Sequence, residues 1–405
     1  MLDTNFPSWP SFSEKEADIA KEILLSNRVN YWTGNECRKF EKEFATFADS
    51  KYAIALSNGT VALDLALKAL EIGKGDEVIV TSRTFLASVS SIVNSGAKPI
   101  FADVSLESQN IRPQLVKNLI STRTKAIICV HLAGWPCDMD EIMEIAKKNN
   151  IFVIEDCAQA HGAKYKGKSV GSIGNIGAWS FCQDKIMTTA GEGGMVTTND
   201  KTLWKKMWAY KDHGKSYDAV YKKKHPKGFK WLHESFGTNW RMTEIQGAIG
   251  RYQLSKMHEW SGKRRKNLNT ILSTCKKFKA LRVPDFKCSN CLGCESNYSC
   301  EHGAYKAYTF VNYNFLKEGW SRDRIIDEIL KRGVPCYSGS CSEVYLEKAF
   351  DNLNIRPKKR LQAAKELGET SLMFLVHPTL RDKDIEKTCD VIYEVMKLAS
   401  DIKND

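Results

Sequence analysis

Short runs of β-branched and other apolar residues alternate with helical patterns from Tyr52 onward, and this alternation strongly limits the folds open to the chain. The first unit consists of the run Tyr52–Leu56, the loop Ser57-Asn58-Gly59-Thr60 and a helical stretch that ends near Leu70. Similar apolar runs follow at residues 78–80, 99–101, 126–130 and 152–154. Strands that alternate with helices form a largely parallel sheet with helices packed on it. Ligands bind at the carboxyl ends of such strands, so functional residues are expected directly after them.

The C-terminal part of the chain has a different pattern. A long helical pattern begins around Gln246, and it is followed by the strand-like run 308–311 and a helical pattern at 384–398. The chain has 405 residues, of which 42% are hydrophobic, so two cores can be filled. We therefore predict an N-terminal segment and large domain over residues 1–255, and a smaller α+β domain over 256–405 with a cysteine-rich insertion at 288–302.

Charge and hydropathy restrict the class of protein. The formal net charge of +12 is spread over short basic runs without interleaved aromatic residues, so a solvated surface is expected, with attraction of an anionic substrate as the alternative. No nucleic-acid motif accompanies these runs. No apolar run approaches the roughly 18 to 20 residues that cross a membrane, and the first residues lack the features of a signal peptide. A cytoplasmic protein with mostly reduced cysteines is expected.

Two charged residues follow predicted strands. Asp156 comes directly after the run that ends at Ile154, where a partly desolvated carboxylate needs a cationic partner. A protonated pyridine nitrogen is such a partner, although an ordinary acidic turn has the same pattern. Lys185 follows the apolar run 178–181 and precedes the glycine-rich stretch 188–194. A desolvated lysine amine can form a Schiff base and move protons, whereas the alternative is a surface lysine.

The loop before the first helix of the sheet has the composition of a phosphate site. Backbone N–H groups at a helix start, together with the Thr60 hydroxyl, form a natural phosphate cradle. Ser180, five residues before Lys185, can add a second hydroxyl. Such a loop alone is a weak indication, because many strand–helix turns contain Gly and Thr.

Taken in their order along the chain, the loop at residues 57–60 and the segments around Asp156 and Lys185 resemble those of the DegT/DnrJ/EryC1/StrS family of sugar aminotransferases. These enzymes depend on pyridoxal 5'-phosphate. The resemblance extends from about Asn27 to the C-terminus and also includes Gly75–Val80, Gly96–Pro99, Tyr165–Lys168 and Gly191–Asp200. It implies an α/β protein with the type I aspartate-aminotransferase fold. It also implies transfer of an amino group, with L-glutamate as the usual donor, to a keto sugar. A nucleotide-linked 4-keto-6-deoxyhexose for surface polysaccharide or aminosugar biosynthesis is the expected acceptor.

The resemblance implies roles for individual residues. Lys185 matches the Schiff-base lysine, and Asp156 matches the partner of the pyridinium nitrogen. The other implied cofactor contacts are Gln159 to the ring hydroxyl, Phe85 stacked on the ring, and Gly59, Thr60 and Ser180 to the phosphate.

Two further residues are implied with less direct roles. In the segment Gly237-Thr238-Asn239-Trp240-Arg241, Asn239 matches a residue that reaches the phosphate in the neighbouring subunit, which implies a homodimer with shared active sites. His161 follows the family pattern and is expected either to line the substrate pocket or to make structural hydrogen bonds.

Other reactions stay open at this point. One branch of the family has histidine in place of the lysine and performs dehydration, so Lys185 favours transamination. A lyase or dehydratase that uses the same cofactor, and a transaminase for a keto or aldehyde sugar without a nucleotide, are the alternatives. The segment Tyr337–Ser342 departs from the family's usual His-Tyr-x-Pro, which leaves the identity of the acceptor sugar open.

A cysteine-rich stretch is the second departure from the family pattern. Four thiolates, or three and a histidine, are spaced so that they could surround one Zn²⁺. A ferredoxin-like iron–sulfur site and a reduced, metal-free loop are the alternatives. The residues concerned are Cys288, Cys291, Cys294, Cys300 and His302.

Overall fold

The computed structural model describes residues 6–286 and 300–402. Its strands are β1 (Tyr52–Leu56), β2 (Glu77–Thr81), β3 (Lys98–Ala102), β4 (Thr124–Val130), β5 (Phe152–Asp156), β6 (Lys164–Tyr165), β7 (Lys168–Ser169), β8 (Ile176–Ser180), β9 (Gly194–Thr198), β10 (Leu281–Arg282), β11 (Ala307–Val311), β12 (Cys336–Tyr337) and β13 (Ser371–Phe374). Its α-helices are α1 (Glu14–Leu25), α2 (Glu36–Phe47), α3 (Gly59–Ala69), α4 (Ala87–Asn94), α5 (Pro113–Leu119), α6 (Met139–Asn149), α7 (Lys201–Tyr210), α8 (Tyr217–Tyr221), α9 (Glu244–Cys275), α10 (Arg322–Lys331), α11 (Gln362–Thr370) and α12 (Asp382–Ala399).

The large sheet has seven strands in the order β1-β9-β8-β5-β4-β2-β3. Strands β3, β2, β4, β5 and β8 are parallel to one another, and β9 is antiparallel to both of its neighbours. The predicted α/β fold with a largely parallel sheet is therefore confirmed. Because β1 and β8 both run opposite to β9, the carboxyl ends of β1, β2, β5 and β8 lie at one edge of the sheet. This edge holds the site described below.

Both faces of the large sheet are covered, which explains why its strands are continuously apolar. Successive side chains of a strand point to opposite faces. Val78 and Val80 of β2 pack in one cluster with Leu63 of α3, whereas Ile79 packs on the other face with Ile142 of α6. A strand buried on both faces cannot alternate polar with apolar residues, so the β-branched runs in the sequence mark the centre of the sheet.

The C-terminal part contains a separate four-stranded antiparallel sheet in the order β10-β11-β13-β12. Its core includes Leu272 of α9, Leu372 of β13 and Ile392 of α12. The 32-residue helix α9 contacts α1 and α2 as well as α12 and β11, so it joins the two sheets and spans the predicted boundary at residue 255. The division into domains at that residue stays a prediction.

Helix α9 begins where its sequence supplies a capping box. The Thr243 hydroxyl accepts a hydrogen bond from the backbone N–H of Gln246, and the Gln246 side chain accepts one from the backbone N–H of Thr243. Across the described ranges, no helix combines the length and apolar character that a bilayer-spanning segment requires. The cytoplasmic location stays a prediction.

Candidate active site

A cavity of about 660 Å³, here called the inner cavity, opens at the carboxyl edge of the large sheet. It is lined by seven of the eight residues that the family resemblance implies as cofactor contacts. These residues are Gly59, Thr60, Phe85, Asp156, Gln159, Ser180 and Lys185. Four different strand ends and the loops after them meet here, so residues up to 126 positions apart share one wall, as the parallel topology requires.

A second cavity of about 850 Å³, here called the outer cavity, continues from the first. The two cavities share Phe85, Gln159, Asp184 and Lys185. The remaining walls of the outer cavity come from residues 6–9, 305–308, 335–341 and 373–377. The Lys185 side chain therefore lies where an inner compartment and an outer, substrate-sized compartment meet.

Asp156 is 6% exposed, and its carboxylate is held at the floor of the inner cavity. One carboxylate oxygen accepts a hydrogen bond from Ser88 Oγ at 2.7 Å, and the other accepts one from the backbone N–H of Ala158 at 3.1 Å. No cationic side chain of the described residues forms an ion pair with it. Burial raises the pKa of Asp156 despite the hydrogen bond from Ser88. A buried carboxylate with no cationic partner fits a protonated pyridine nitrogen at this position.

The residue before it, Glu155, fixes the end of β5. Its carboxylate accepts hydrogen bonds from the backbone N–H groups of residues 171, 173 and 174, and it lies 3.0 Å from Nε2 of His131. Nδ1 of His131 accepts a hydrogen bond from the backbone N–H of Cys137, so Nε2 carries the proton that points to Glu155. Burial opposes ionisation of Glu155, but the hydrogen bond from His131 and the backbone N–H groups bring its pKa below the ordinary value. This network holds the neighbouring Asp156 in place.

The start of α3 has the geometry of a phosphate site. Asn58 caps the helix by accepting a hydrogen bond from the backbone N–H of Val61 at 3.0 Å. The N–H groups of Gly59 and Thr60, in the first turn, have no intrahelical acceptor and are available to an anion. A Cβ at position 59 would lie 2.5 Å from the Cβ of Ser180, so only glycine allows β8 to come this close to α3.

Gln159 and Phe85 line both cavities, and each offers a group that suits a planar ligand. The Gln159 amide oxygen accepts a hydrogen bond from the backbone N–H of Ala133 at 2.8 Å, which leaves its two amide hydrogens for a ligand oxygen. Phe85 is 71% exposed although it lines both cavities, so one face of its ring is uncovered. A flat apolar face of this kind is suited to stacking on an aromatic ligand.

The amine of Lys185 is held by its sequence neighbour. Nζ lies 2.9 Å from a carboxylate oxygen of Asp184, and the other oxygen of Asp184 accepts a hydrogen bond from the Tyr305 hydroxyl. Burial opposes ionisation of Asp184, but the charge of Lys185 and the hydrogen bond from Tyr305 bring its pKa below the ordinary value. The Lys185 side chain is 18% exposed, so the amine reaches the cavity while its stem is covered.

His161 does not line either cavity, which corrects the expectation that it lines the substrate pocket. Its ring is fully buried between Trp179 and Phe181, with ring centroids 5.3 and 5.6 Å away. Neither ring nitrogen makes a well-aligned hydrogen bond to a described residue, but a less well-aligned interaction with the backbone of Ser180 is present, so the structural hydrogen-bonding role stays a prediction. Burial, reinforced by the charges of Lys185 and Arg264, lowers the pKa of His161 to about 3. The ring acts as a neutral part of the core.

Asn239 is exposed and lies outside the inner cavity of its own chain. Its backbone pairs with Asp212, which is fully buried and accepts a hydrogen bond from Trp32 Nε1 at 2.7 Å. Asp212 also forms an ion pair with Arg241 at 2.5 Å. The backbone around Asn239 is therefore anchored, while its side chain faces outward.

The two departures from the family pattern have different outcomes. Residues of the segment Tyr337–Ser342 line the outer cavity, and the Tyr308 hydroxyl holds the segment by accepting a hydrogen bond from the backbone N–H of Ser340.

Of the five proposed metal ligands, Cys288, Cys291 and Cys294 lie outside the described residues. His302 is buried between Trp135 and Phe286, and its Nδ1 accepts a hydrogen bond from the backbone N–H of Ala304. The Cys300 sulfur accepts a hydrogen bond from the backbone N–H of Lys166, and the zinc site stays a prediction.

Sequence reasoning missed several residues that line the outer cavity. Trp9, Tyr305 and Lys306 have no motif or periodic pattern that would connect them to Lys185. Asp184 is the exception, because a carboxylate directly before a reactive lysine can be read from the sequence.

The fold and these two cavities, with Lys185 at their junction, define an aminotransferase, and comparison with known proteins agrees. A family model described as the DegT/DnrJ/EryC1/StrS aminotransferase family matches residues 10–393. The GDP-perosamine synthase of Escherichia coli O157:H7 is 44% identical over 277 residues, which cover 67% of this chain and 73% of that protein. The dTDP-3-amino-3,6-dideoxy-α-D-galactopyranose transaminase of Aneurinibacillus thermoaerophilus is 42% identical over 254 residues, 62% of this chain and 66% of that protein.

Among solved structures, an aminotransferase from Psychrobacter cryohalolentis superposes with a TM-score of 0.93 at 61% identity, covering 97% of this chain and 99% of that one. The chain belongs to the DegT/DnrJ/EryC1/StrS aminotransferase family. The family, the type I fold and the aminotransferase activity predicted from the sequence are thereby confirmed.

Proposed function

We propose that this chain uses pyridoxal 5'-phosphate to transfer the amino group of L-glutamate to a nucleotide-linked keto sugar, and that it does so as a homodimer. The observation that carries this proposal is the meeting of the inner and outer cavities at Lys185, above the buried and unpaired Asp156. One compartment fits a cofactor, and the other fits the two substrates in turn.

The residues of the inner cavity fit the cofactor group by group. The N-terminus of α3 and the Ser180 hydroxyl would hold the phosphate, and the amide of Gln159 would hold the ring hydroxyl. Phe85 would cover one face of the ring. Asp156 would pair with the ring nitrogen and keep it protonated, because the ionised carboxylate then gains the cationic partner that it lacks.

The chain's own residues would carry the proton transfers. When bound, pyridoxal phosphate supplies a ring that withdraws electrons from the carbon that loses a proton. Lys185 Nζ is placed to take a proton from the donor's α-carbon and, in the second half of the cycle, to return one to the sugar carbon. Asp184 and Tyr305 orient this amine.

Support for the acceptor comes from the relatives and from the walls of the outer cavity. The two similar enzymes named above carry names that specify nucleoside-diphosphate sugars. The name of the second specifies a 6-deoxy sugar aminated at carbon 3, whereas the acceptor that we propose is a 4-keto-6-deoxyhexose. The Tyr337–Ser342 segment, which departs from the family pattern, forms part of the wall on which this choice of carbon depends.

Support for the homodimer comes from the surface next to Asn239. Phe229, Trp231 and Phe236 precede it in the sequence and are 74%, 84% and 98% exposed. Large aromatic side chains that are exposed together mark interaction surfaces. A second copy of the chain that covers these residues would bring Asn239 to the phosphate of the neighbouring inner cavity.

The test is a two-step assay on purified holoenzyme. L-glutamate alone should convert the bound cofactor to its amino form and yield 2-oxoglutarate. A panel of keto sugars, with and without a nucleotide and with the ketone at carbon 3 or 4, should then restore the original absorbance. Restoration by a nucleotide-linked 4-keto-6-deoxyhexose and release of the corresponding aminosugar are expected. A sugar product formed without any amino donor would instead identify a lyase or dehydratase.

A further inference from the structure

Lys306, in the wall of the outer cavity, is a partly buried lysine without a partner. Its Nζ makes no hydrogen bond or ion pair with any residue in 6–286 or 300–402, and it lies 5.1 Å from the centre of the Tyr305 ring. An ammonium group that leaves water without a hydrogen-bonded counter-charge loses hydration energy. The charge of Asp184, which is already bound to Lys185, replaces only part of it. Lysines in such positions are therefore expected to meet a ligand.

The charges around Lys306 are unbalanced. The only carboxylate among the described residues that line the outer cavity is Asp184, which is already bound to Lys185 and Tyr305. Behind the wall, Arg264 is fully buried, with its guanidinium 4.8 Å from the Trp9 ring, and two of its nitrogens have no hydrogen-bond partner. Burial, followed by the charges of Arg264 and Lys185, lowers the pKa of Lys306 to about 8. The outer cavity is therefore shaped for an anion.

We propose that Lys306 binds a carboxylate of the amino donor, and of the keto acid formed from it, and is thus a specificity-determining residue of the donor site. This inference rests on the proposed aminotransferase function. Every α-amino acid donor brings a carboxylate into the site, and glutamate brings two. Among the described residues that line the outer cavity, Lys185 is the reactive amine, and no further cation is free to bind them.

The position of Lys306 favours a donor carboxylate over the diphosphate of a nucleotide sugar. The donor's α-carboxylate is one bond away from the carbon that carries the transferred nitrogen, so it must lie close to Lys185. The amines of Lys185 and Lys306 both lie against the Tyr305 ring, 5.7 and 5.1 Å from its centre. A diphosphate is attached to carbon 1 of the sugar, across the ring from a ketone at carbon 4, and would lie further out.

The test compares Lys306→Met and Lys306→Arg with a matched control, Lys42→Met, in which an exposed lysine on α2 is removed. In the first half-reaction, we expect Lys306→Met to raise the KM for L-glutamate by about tenfold or more, the size of a lost charge-assisted hydrogen bond. Lys306→Arg should recover part of the loss, and Lys42→Met should match the wild type. The KM for the keto sugar in the second half-reaction should change little.

A binding measurement separates this role from a structural one. Glutarate, which has both carboxylates but no amino group, should bind wild-type holoenzyme in calorimetry, and Lys306→Met should weaken its Kd by a similar factor. The thermal midpoint should change little, because the removed ammonium makes no hydrogen bond or ion pair with any of the described residues.

Different results would contradict the role of Lys306 and the proposed aminotransferase function. An unchanged glutarate Kd together with an unchanged KM for glutamate would overturn the role of Lys306. A rise in KM confined to the sugar half-reaction would overturn it as well, and would assign Lys306 to the sugar or its diphosphate. If wild-type enzyme converts its cofactor with no amino donor at all, the proposed aminotransferase function itself fails.

Discussion

The indole Nε1 of Trp9 donates a hydrogen bond of 2.7 Å to the backbone carbonyl of Lys185, 176 positions away in the chain. The indole ring is fixed by an edge-to-face contact with Trp260 at 5.2 Å and by stacking on His377 at 6.0 Å. Residues 6–9 also line the outer cavity. The N-terminal segment is therefore part of the active-site wall and holds the backbone of the proposed Schiff-base lysine.

Trp9→Phe should separate the hydrogen bond from the packing, because phenylalanine keeps an aromatic ring but has no N–H. One intramolecular hydrogen bond contributes about 0.5–1.5 kcal/mol, so we expect a loss of roughly two- to twelvefold in the single-turnover rate with L-glutamate. Trp9→Ala should lose more, since the contacts with Trp260 and His377 go as well. Equal rates for Trp9→Phe and wild type would show that packing alone positions Lys185.

Lys185→Ala should abolish turnover while cofactor binding persists. The amine is the covalent attachment point and the proton carrier, whereas the other predicted contacts of the inner cavity remain. Wild-type protein should be yellow, and borohydride should fix the chromophore to the peptide that contains Lys185. In the variant, borohydride should fix nothing, and turnover at an appreciable fraction of the wild-type rate would exclude the assignment.

Asp156→Asn should affect activity and stability in opposite directions. The amide has the same shape but cannot keep a ring nitrogen protonated, so we expect a rate loss of about 100-fold or more, or about 3 kcal/mol of barrier. Without cofactor, burial raises the pKa of Asp156, which means that its ionised form costs stability at neutral pH.

The cofactor-free Asp156→Asn protein should accordingly unfold at a higher temperature than cofactor-free wild type at pH 7. This gain should shrink as the pH falls through the raised pKa, because the wild-type carboxyl group is then neutral too. Differential scanning calorimetry across this pH range measures both trends. A variant that is less stable at pH 7 and loses less than threefold in rate would show that another residue pairs with the ring.

The position of Lys306 predicts a pH dependence with a definite sign. Its pKa is lowered to about 8, so the ammonium is present below that pH and lost above it. The kcat/KM for L-glutamate, taken as the ratio of wild type to Lys306→Arg, should therefore fall as the pH rises through about 8, because arginine stays charged. The groups that face Lys306 are Asp184, Lys185, Arg264, Tyr305, Tyr308 and His377.

None of these neighbours should produce the same trend in the ratio. They are present in both enzymes, and His377, whose pKa burial lowers to about 3, is neutral throughout the range. A ratio that stays constant from pH 6.5 to 9.5 would contradict the assignment of this titration to Lys306.

Much of the inner cavity could be predicted from the sequence because each of its residues follows a strand of the large sheet. Asp156 ends β5, Ser180 ends β8, and Gly59 starts the helix after β1. Parallel topology brings such positions to one edge whatever their distance in sequence. Local patterns and this topological rule indicated Asp156, Lys185 and the loop before α3 as candidates, whereas the roles of Gln159 and Phe85 were implied only by the family resemblance.

The outer cavity could not be predicted in this way, because its walls depend on packing between distant parts of the chain. Arg83, two residues before Phe85, is fully buried and donates hydrogen bonds to Ser342 and Ser371, 259 and 288 positions away. These contacts hold the C-terminal part against the loop after β2, and no periodicity in the sequence records them. The same holds for His161, whose aromatic neighbours, and not its motif, decide that it belongs to the core.

The final prediction concerns the shared active site. Asn239 is exposed and outside the inner cavity of its own chain, so a phosphate contact by this residue requires a second subunit. Asn239→Ala should weaken binding of pyridoxal phosphate and make the dimer dissociate more readily once the cofactor is removed. The reason is that cofactor binding stabilises the dimer, and dimer formation in turn completes the cofactor site. Equilibrium dialysis measures the binding of pyridoxal phosphate, and light scattering at several protein concentrations measures the dissociation of the dimer.

Mixing two inactive variants tests the geometry directly. In a dimer of one Lys185→Ala subunit and one Asn239→Asp subunit, one site carries both defects and the other carries neither, so up to half of the wild-type activity per mixed dimer should return. Lys185→Ala mixed with Asp156→Asn is the matched control: both residues line the inner cavity of the same chain, so each site keeps one defect and no such recovery is expected. Two affinity tags verify subunit exchange. Asn239→Asp alone must be inactive, because its carboxylate repels phosphate. Recovery in the first mixture but not in the second would show that Asn239 acts across the interface, whereas no recovery in either mixture would show that it does not contribute to the partner's site.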